Sequence, residues 1–328
     1  MKALVYTGTQ ALEMRDINLA EAAEGQCIVD ISHCGICGSD MHAYHGHDAR
    51  RVPPLVLGHE AVGVVRSGHL GGKRVAINPL MTCGHCSSCQ SGREHLCAER
   101  ELIGMRVPGA FAQSVAIAEK NIYLLPDDLA FEQAALAEPL ACAIHAVSVA
   151  LDHLRTPLLE AKIVVLGGGA IGLLCALVFR LRGIKHLQMA ETNPLRRDIL
   201  QQVVDADIYD PVTTGAQVGE SDIVLDAVGS GVTRAAASLR AAPGGVIVHI
   251  GLQDSKDGLD TRRLTLQEIT FVGTYCYTNN DFASALSLLH EGKICADGWT
   301  ELRGLESGAK AFEDIHNGTA SPKIILEV

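Results

Sequence analysis

The sequence is poor in positive charge. It has 27 Lys and Arg residues against 38 Asp and Glu residues, for a formal net charge of -11, and its basic residues form no cluster. Proteins that bind polyanions neutralise phosphates with clustered Lys and Arg side chains. Nucleic acid is therefore not an expected partner.

Long apolar runs, leader sequences and repeats are also missing. The segment 163–181 comes nearest to a membrane span, but it contains four glycines and is better explained as a strand, a turn and a helix. The first residues, MKALVYTGTQALEMRD, lack the apolar core of a signal peptide. Without repeats a solenoid is excluded, and we expect a cytoplasmic protein that does not enter a membrane.

Cysteine, by contrast, is abundant. The chain has 11 cysteines, an odd number in a sequence with no signal peptide. This pattern is typical of a reducing compartment, where thiols bind metals or stay free instead of forming a disulfide framework.

The length of the chain and the change in its secondary-structure pattern predict two domains of the α/β class. The 328 residues are 48% hydrophobic and 20% charged, enough for two cores. Up to about residue 138, short strand-like runs are separated by Gly, Pro and Asn, as in an irregular β domain. From Glu138 helices and apolar strands alternate, which predicts a doubly wound parallel sheet. The late run KIILEV would pair best with the β domain, so we predict one domain of residues 1–138 with 274–328 and another of residues 139–273.

The segment VVLGGGAIGLL carries a G-x-G-x-x-G pattern between an apolar strand and an apolar helix. Gly167 would make the tight turn, Gly169 would let the backbone approach a pyrophosphate, and Gly172 would let helix and strand pack closely. Ile171 lies inside the pattern and would contact the same dinucleotide. The alternative is a Gly-rich connection that binds no nucleotide.

Glu191 ends the strand that follows this pattern. A carboxylate at this place accepts hydrogen bonds from the adenosine ribose and repels a 2′-phosphate, so NAD is favoured over NADP. Arg196 and Arg197 follow closely, and either could instead hold that phosphate.

The segment CGHCSSCQSGREHLC places four cysteines in one short loop: Cys83, Cys86, Cys89 and Cys97. Four thiolates can close a tetrahedral shell around Zn²⁺, and a closed shell is structural. An iron–sulfur cluster and two disulfides are the competing interpretations, although the spacing differs from that of ferredoxins.

A second cluster, HCGICGSDMHAYHGH at residues 33–47, could by itself be half a zinc site or a redox pair. Together with LGHEAVG, the four-cysteine loop, AEPLACAIHAV and GGGAIGLL, in this order, it resembles the zinc-dependent medium-chain dehydrogenases. The Glu in AEPL makes the chain most similar to the polyol branch, which includes sorbitol, xylitol and L-idonate 5-dehydrogenases. The resemblance implies a discontinuous GroES-like catalytic domain and a Rossmann domain.

The same resemblance implies the ligands of a catalytic zinc. Cys37 would supply a thiolate and His59 an imidazole, with Glu60 a carboxylate ligand or close neighbour. Glu138 would bind directly or through water. Such a set leaves one coordination position open, as a catalytic zinc requires, and the chain is expected to hold two zinc ions.

The resemblance also implies a route for the proton. Ser39 is similar to the relay hydroxyl of the family and His42 to its relay imidazole, which can pass a proton to solvent. Asp40 would orient His59 through its second ring nitrogen. His45 and His47 are expected to be solvated loop residues.

The function implied is reversible transfer of a hydride from a secondary alcohol of a polyol or sugar acid to NAD, giving a ketone. An enzyme similar to L-threonine 3-dehydrogenase or to general alcohol dehydrogenases is the alternative, and a non-catalytic zinc- and nucleotide-binding protein a further one. Phe111, Arg106 and Tyr44 could line the substrate pocket. By analogy with the family, a homodimer or homotetramer is expected.

Overall fold

The computed structural model describes residues 1–19, 21–214, 219–254 and 256–328. The chain forms two compact units, Met1–Ala141 with Thr278–Val328 and Cys142–Tyr277. The boundaries predicted from the sequence lie within a few residues of these bounds.

The first unit is built mainly of antiparallel strands. Its strands are β1 (Lys2–Gly8), β2 (Ala11–Asp16), β3 (Gln26–Gly35), β4 (Leu55–Val56), β5 (Glu60–Val65), β6 (Arg74–Ile77), β7 (Leu80–Met81), β8 (Glu101–Leu102), β9 (Ser114–Ala118), β10 (Ile122–Leu124), β17 (Thr300–Gly304) and β18 (Lys323–Glu327). Its helices are α1 (Gly38–Tyr44), α2 (Ser87–Gln90), α3 (Phe131–Ala134), α10 (Asn279–His290) and α11 (Gly308–His316).

These strands form a seven-stranded sheet in the order β10-β6-β5-β3-β18-β17, with β9 also paired to β3, a three-stranded sheet β2-β1-β4 and a ribbon β7-β8. Strand β18 runs antiparallel to β3, with Leu326 opposite Cys34 and Ile325 opposite Gly35. The prediction that the late strand returns to the N-terminal β domain is therefore confirmed.

The second unit is a parallel sheet with helices between its strands. Its elements are β11 (Lys162–Leu166), α5 (Ala170–Leu181), β12 (His186–Ala190), α6 (Pro194–Val203), β13 (Asp207–Tyr209), α7 (Pro211–Thr214), β14 (Ser221–Asp226), α8 (Gly231–Arg240), β15 (Ala241–His249), α9 (Thr261–Leu266) and β16 (Thr270–Gly273). The strand order is β13-β12-β11-β14-β15-β16, and each neighbouring pair is parallel. The order reverses beside β11, and ligands of doubly wound sheets bind at such a point.

Helix α4 (Ala137–Asp152) connects the two units. With α3 it forms a helical segment, 131–152, that is long and apolar enough to cross a membrane by length and composition alone, yet 72% of its most apolar window is buried. Glu132, Glu138 and His145 interrupt its apolar sequence, so it contains no run of 18 apolar residues. Such burial is typical of a core helix.

Candidate functional site

Three predicted metal ligands lie together in the first unit. One ligand atom from each of Cys37, His59 and Glu60 lies within 4.8 Å of the other two. Cys37 immediately precedes helix α1, whereas His59 and Glu60 lie at the start of strand β5. Two separate segments thus bring sulfur, imidazole and carboxylate to one place.

Local structure fixes both segments. The backbone N–H of Cys37 donates to Asp40 Oδ2 at 3.0 Å, which closes the first turn of α1. Gly58 has a φ of +92°, and a Cβ there would lie 2.5 Å from the Phe111 ring. Glycine is therefore required beside His59, because the ring occupies the space of a side chain and the backbone is left-handed.

The buried polar atoms at this place fit a cation. His59 Nδ1 lies 3.6 Å from Asp40 Oδ1, and both side chains are at most 3% exposed. Among the residues that the structure describes, these two atoms and Glu60 Oε1 have no hydrogen-bond partner. Buried polar groups normally have one, and a set of sulfur, nitrogen and oxygen donors is what zinc binds.

The charges favour a positive group here. Burial alone would lower the pKa of His59, but the negative charges of Asp40 and Cys37 raise this pKa well above its usual value. A site that stabilises an added positive charge is suited to a metal ion.

A lysine also lies beside the three ligands, and nothing in the sequence indicated that it belongs to this site. Lys323 of β18 forms an ion pair with Glu60 Oε2, both side chains being 1% exposed, and its Nζ donates to the carbonyl of Ile36 at 2.9 Å. Burial would lower the pKa of Lys323, but the charge of Glu60, followed by that of Cys37, raises it. A Cβ at Gly35 would lie 1.9 Å from Glu60 Oε2 and 2.8 Å from Lys323 Cε, so only glycine leaves room for the pair.

Glu138 lies in the first turn of α4 and is buried at 6% exposure. It is not among the three residues whose ligand atoms lie within 4.8 Å of one another. Its charge nevertheless contributes to the raised pKa of Lys323, after those of Glu60 and Cys37. Its role as a direct or water-mediated ligand stays a prediction.

The two predicted relay residues lie on helix α1. Ser39 Oγ accepts a hydrogen bond from Arg51 Nη2 at 3.1 Å. His42 is partly buried, and this burial, followed by the charge of His47, lowers its pKa. A neutral imidazole is therefore available at neutral pH to accept a proton.

The four cysteines of the loop lie close enough together to hold one metal ion. The Sγ atoms of Cys83 and Cys89 lie 3.9 Å apart, those of Cys86 and Cys89 3.5 Å, and those of Cys97 and Cys83 3.6 Å. Zn–S bonds of about 2.3 Å give a tetrahedron with edges of roughly 3.8 Å. Backbone N–H groups of His85 and Cys86 lower the pKa of Cys83 to about 6, which favours the thiolate. All four cysteines are free thiols here, as a zinc shell requires.

The glycine-rich turn lies between strand β11 and helix α5. Gly167 has a φ of +98°, and a Cβ at Gly172 would lie 1.9 Å from the Gly167 carbonyl oxygen. Gly169 precedes helix α5, and a Cβ there would meet only Arg196 Nη1, at 4.0 Å. The half-buried Ile171 lies in the first turn of this helix. The turn therefore leaves the helix N-terminus open to an anion.

Glu191 is tied to this turn. It follows β12 at 7% exposure, and its Oε2 accepts from the Gly168 N–H and its Oε1 from the Asn193 N–H, both at 2.7 Å. Arg197 donates to the carbonyls of Glu191 and Thr192 at 2.9 and 2.7 Å. These contacts hold the carboxylate beside the glycines.

Of the two arginines, Arg196 is the one beside the turn. Its Nη1 is the atom nearest to a Cβ at Gly169, and its buried Nε has no hydrogen-bond partner within the described part of the chain. An unsatisfied guanidinium N–H close to a phosphate-binding turn fits an anionic group.

Other sequence-based interpretations need correction. Phe111 is 0% exposed and Tyr44 6%, so both belong to the core, where each packs on Phe312, at ring distances of 6.0 and 5.6 Å. Arg106 pairs with Glu101 at 3.1 Å on the surface. His45 is partly exposed, as a loop residue would be, and its Nε2 lies 2.9 Å from His316 Nδ1.

Comparisons with known proteins agree with this arrangement. The model of the alcohol dehydrogenase GroES-like domain matches residues 23–127, and that of the zinc-binding dehydrogenase domain matches residues 170–291. The chain is 31% identical to 2-dehydro-3-deoxy-L-galactonate 5-dehydrogenase of Pseudoalteromonas atlantica, over 98% of this chain and 95% of the relative. It is 29% identical to L-threonine 3-dehydrogenase of Idiomarina loihiensis, over 95% of each chain.

A solved structure is similar over the whole chain. A zinc-binding dehydrogenase of Sinorhizobium meliloti bound to NADP superimposes with a TM-score of 0.87 and 26% identity, covering 100% of this chain and 99% of the other. The fold class predicted from the sequence, a GroES-like domain with a Rossmann domain, is confirmed by this likeness and by the two family models.

Proposed function

The chain belongs to the zinc-dependent medium-chain alcohol dehydrogenases, and from this membership we propose that it oxidises a secondary hydroxyl of a polyol or sugar acid to a ketone, reversibly, with NAD as the hydride acceptor. The observation that carries the proposal is the convergence of Cys37, His59 and Glu60 on one buried place. The 31% identity to a sugar-acid 5-dehydrogenase supports this substrate class.

Cys37, His59 and Glu60 would hold the catalytic zinc, with Glu138 as a further candidate, and the four cysteines of the loop at 83–97 would hold a structural one. Bound zinc supplies Lewis acidity, which lowers the pKa of a coordinated hydroxyl. Lys323 pairs with Glu60 in the protein interior, where both side chains are 1% exposed. This pairing keeps the carboxylate ordered at the edge of the site.

The proton of the substrate hydroxyl leaves through side chains of helix α1. Ser39 accepts it and gives its own hydroxyl hydrogen to the next acceptor. His42, on the same helix, would be that acceptor, and its lowered pKa favours a neutral ring at neutral pH. A bound nicotinamide cofactor would supply the hydride chemistry, and the residues of this chain would contribute orientation and proton transfer.

We favour NAD because Glu191 is fixed beside the glycine turn by two backbone N–H groups. A buried carboxylate would accept from the ribose hydroxyls and repel a 2′-phosphate. NADP is the alternative, supported by Arg196 at the same turn and by the similar structure that binds NADP.

An activity on L-threonine is the second candidate, because a threonine dehydrogenase is similar over 95% of both chains. A binding protein without turnover would have no need of Ser39 and His42 beside the three ligands. We place the enzyme in the cytoplasm as a homodimer or homotetramer that acts on small molecules, outside membranes.

The experiment is a substrate panel on zinc-loaded protein. Polyols, sugar acids, simple secondary alcohols and L-threonine are each supplied with NAD and with NADP, and reduced cofactor is followed by absorbance. We expect the highest kcat/KM with a polyol or sugar acid and NAD. Turnover of L-threonine alone would overturn the proposed substrate class, and no turnover at all would favour the binding protein.

A further inference from the structure

Arg51 is a completely buried cation close to the catalytic site. Its side chain is 0% exposed, although arginine is rarely buried without partners. Its guanidinium donates from Nε to the Gly104 carbonyl at 2.8 Å, from Nη1 to Asp48 Oδ2 at 2.7 Å, and from Nη2 to Ser39 Oγ at 3.1 Å. One planar group therefore joins three separate segments.

One of these segments, helix α1, carries two residues of the proposed reaction. Ser39 is the relay hydroxyl, and the next residue, Asp40, faces Arg51 and His59 with the same oxygen. Asp40 Oδ1 lies 3.9 Å from Arg51 Nη2 and 3.6 Å from His59 Nδ1. Asp40 thus lies between the guanidinium of Arg51 and His59, a proposed zinc ligand. The guanidinium itself is in direct contact with the relay hydroxyl of Ser39.

The segment that contains Gly104 supports the backbone next to His59. A Cβ at Gly104 would lie 2.9 Å from the Gly58 carbonyl oxygen, so the turn at Gly104 packs directly on the residue before His59. By binding the Gly104 carbonyl, Arg51 ties this turn to helix α1. Both zinc-ligand segments are therefore connected through one side chain.

We propose that Arg51 is a positioning residue of the dehydrogenase reaction, which orients the Ser39 hydroxyl for proton transfer and holds the Asp40 carboxylate beside His59. This inference rests on the proposed function. A hydroxyl has one hydrogen to donate and two lone pairs, and a guanidinium in a protein only donates. Because Arg51 occupies one lone pair of Ser39 Oγ, the hydroxyl hydrogen must point to another acceptor. The second lone pair is left for the proton of the substrate hydroxyl, so one proton enters Ser39 as one leaves it.

Only arginine can make these contacts together. Its fork presents donors in fixed directions, whereas lysine carries a single ammonium on a flexible stem. Lysine at position 51 would keep the charge near Asp40 and Asp48 but could not also fix Ser39 and Gly104. A comparison of arginine with lysine at position 51 therefore separates the contribution of charge from that of orientation.

The neighbouring Arg50 is a matched control. It also binds Asp48, through Nε at 2.8 Å and Nη2 at 3.0 Å, but its side chain is 48% exposed. Arg50→Met removes a guanidinium from the same aspartate at the surface. We expect its kcat to stay within about twofold of the wild type.

The test compares Arg51→Met, Arg51→Lys and Arg50→Met as zinc-loaded enzymes on the best substrate of the panel. We expect Arg51→Met to lower kcat by about 10- to 100-fold, as losses of groups that orient metal ligands do, with KM for NAD and zinc content unchanged. The solvent isotope effect on kcat should rise, because proton transfer becomes slower. Arg51→Lys should recover thermal stability more than kcat.

A double-mutant cycle with Ser39→Ala identifies the route of the effect. If Arg51 acts through Ser39, adding Arg51→Met to Ser39→Ala should lower kcat by much less than the same substitution does alone. Full additivity, an Arg51→Met enzyme with kcat within about threefold of the wild type, or full kcat in Arg51→Lys would overturn the inference.

A spectroscopic measurement tests the role of Arg51 independently of the proposed function. With Co²⁺ in place of zinc, the visible absorption reports the surroundings of His59 without turnover, and Arg51→Met should change it while Arg50→Met should not. If the wild type oxidises no alcohol, the proposed function fails although the spectrum can still change. If the wild type is active and neither spectrum nor kcat responds, the role of Arg51 alone is refuted.

Discussion

Lys323 and Glu60 form an ion pair in which each side chain is 1% exposed. The pair joins strand β18 to the start of β5, beside Cys37 and His59. Removing one partner of a buried ion pair costs about 3–5 kcal/mol, because the remaining charge is left uncompensated.

Lys323→Met should therefore destabilise the protein, and more so without metal. Zinc at the neighbouring ligands supplies positive charge near Glu60, so the loaded protein should lose less than the roughly 3–5 kcal/mol expected for the metal-free one. Urea unfolding of both proteins in both states measures the difference. The paired variant Glu60→Leu with Lys323→Met should regain much of the loss, and equal stability of wild type and Lys323→Met without metal would contradict the prediction.

Gly172→Ala should damage the nucleotide-binding unit. The added methyl group would lie 1.9 Å from the Gly167 carbonyl oxygen, and overpacking of this kind costs about 1–3 kcal/mol. We expect a lower melting temperature and weaker NAD binding by calorimetry. Gly273→Ala is the control, because a Cβ there meets nothing within 4 Å. Equal effects of the two substitutions would show that close packing at Gly172 is unimportant.

Cys97→Ser should remove the structural zinc. Cys97 is 0% exposed and its Sγ lies 3.6 Å from that of Cys83, so serine would leave a shell of three sulfurs. Zinc measured by mass spectrometry should fall from two ions per chain to one, and the melting temperature should drop. Cys295→Ser, at an exposed free thiol, should keep both ions. Unchanged zinc content in Cys97→Ser would refute the assignment.

Glu191→Gln and Arg196→Met should change cofactor preference in opposite directions. Loss of the Glu191 charge removes repulsion of a 2′-phosphate, and loss of Arg196 removes a donor to it. A hydrogen bond to a charged group contributes about 1.5–3 kcal/mol, so the ratio of kcat/KM for NAD over NADP should fall by about tenfold in Glu191→Gln. The ratio should rise in Arg196→Met. A ratio that neither substitution changes would place the adenosine ribose elsewhere.

Motifs that are local in sequence could be predicted. The four cysteines fall within one loop, and the glycine turn lies between one strand and the next helix, so their spacing determines their geometry. Cys37 and His59 were placed by resemblance, and the structure brings their ligand atoms together with that of Glu60.

Contacts between distant segments could not be predicted. Lys323 lies in a strand whose apolar pattern indicated only burial, and nothing local shows that it meets Glu60. Arg51 precedes two prolines, PP at 53–54, and its sequence context is that of an exposed loop. Helix α8 could not be predicted from an apolar pattern, because Arg234 and Arg240 lie on its buried face, where apolar residues are expected.

The place of strand β18 in the fold also sets an order of events during synthesis. Residues 323–327 leave the ribosome only after the complete nucleotide-binding unit, yet they fill the gap between β3 and β17 and deliver the cation that faces Glu60. Until then the nascent β domain has an open edge along β3 and an uncompensated carboxylate at its future metal centre. The pair of Lys323 with Glu60 can therefore form only after residues 142–277 have been synthesised.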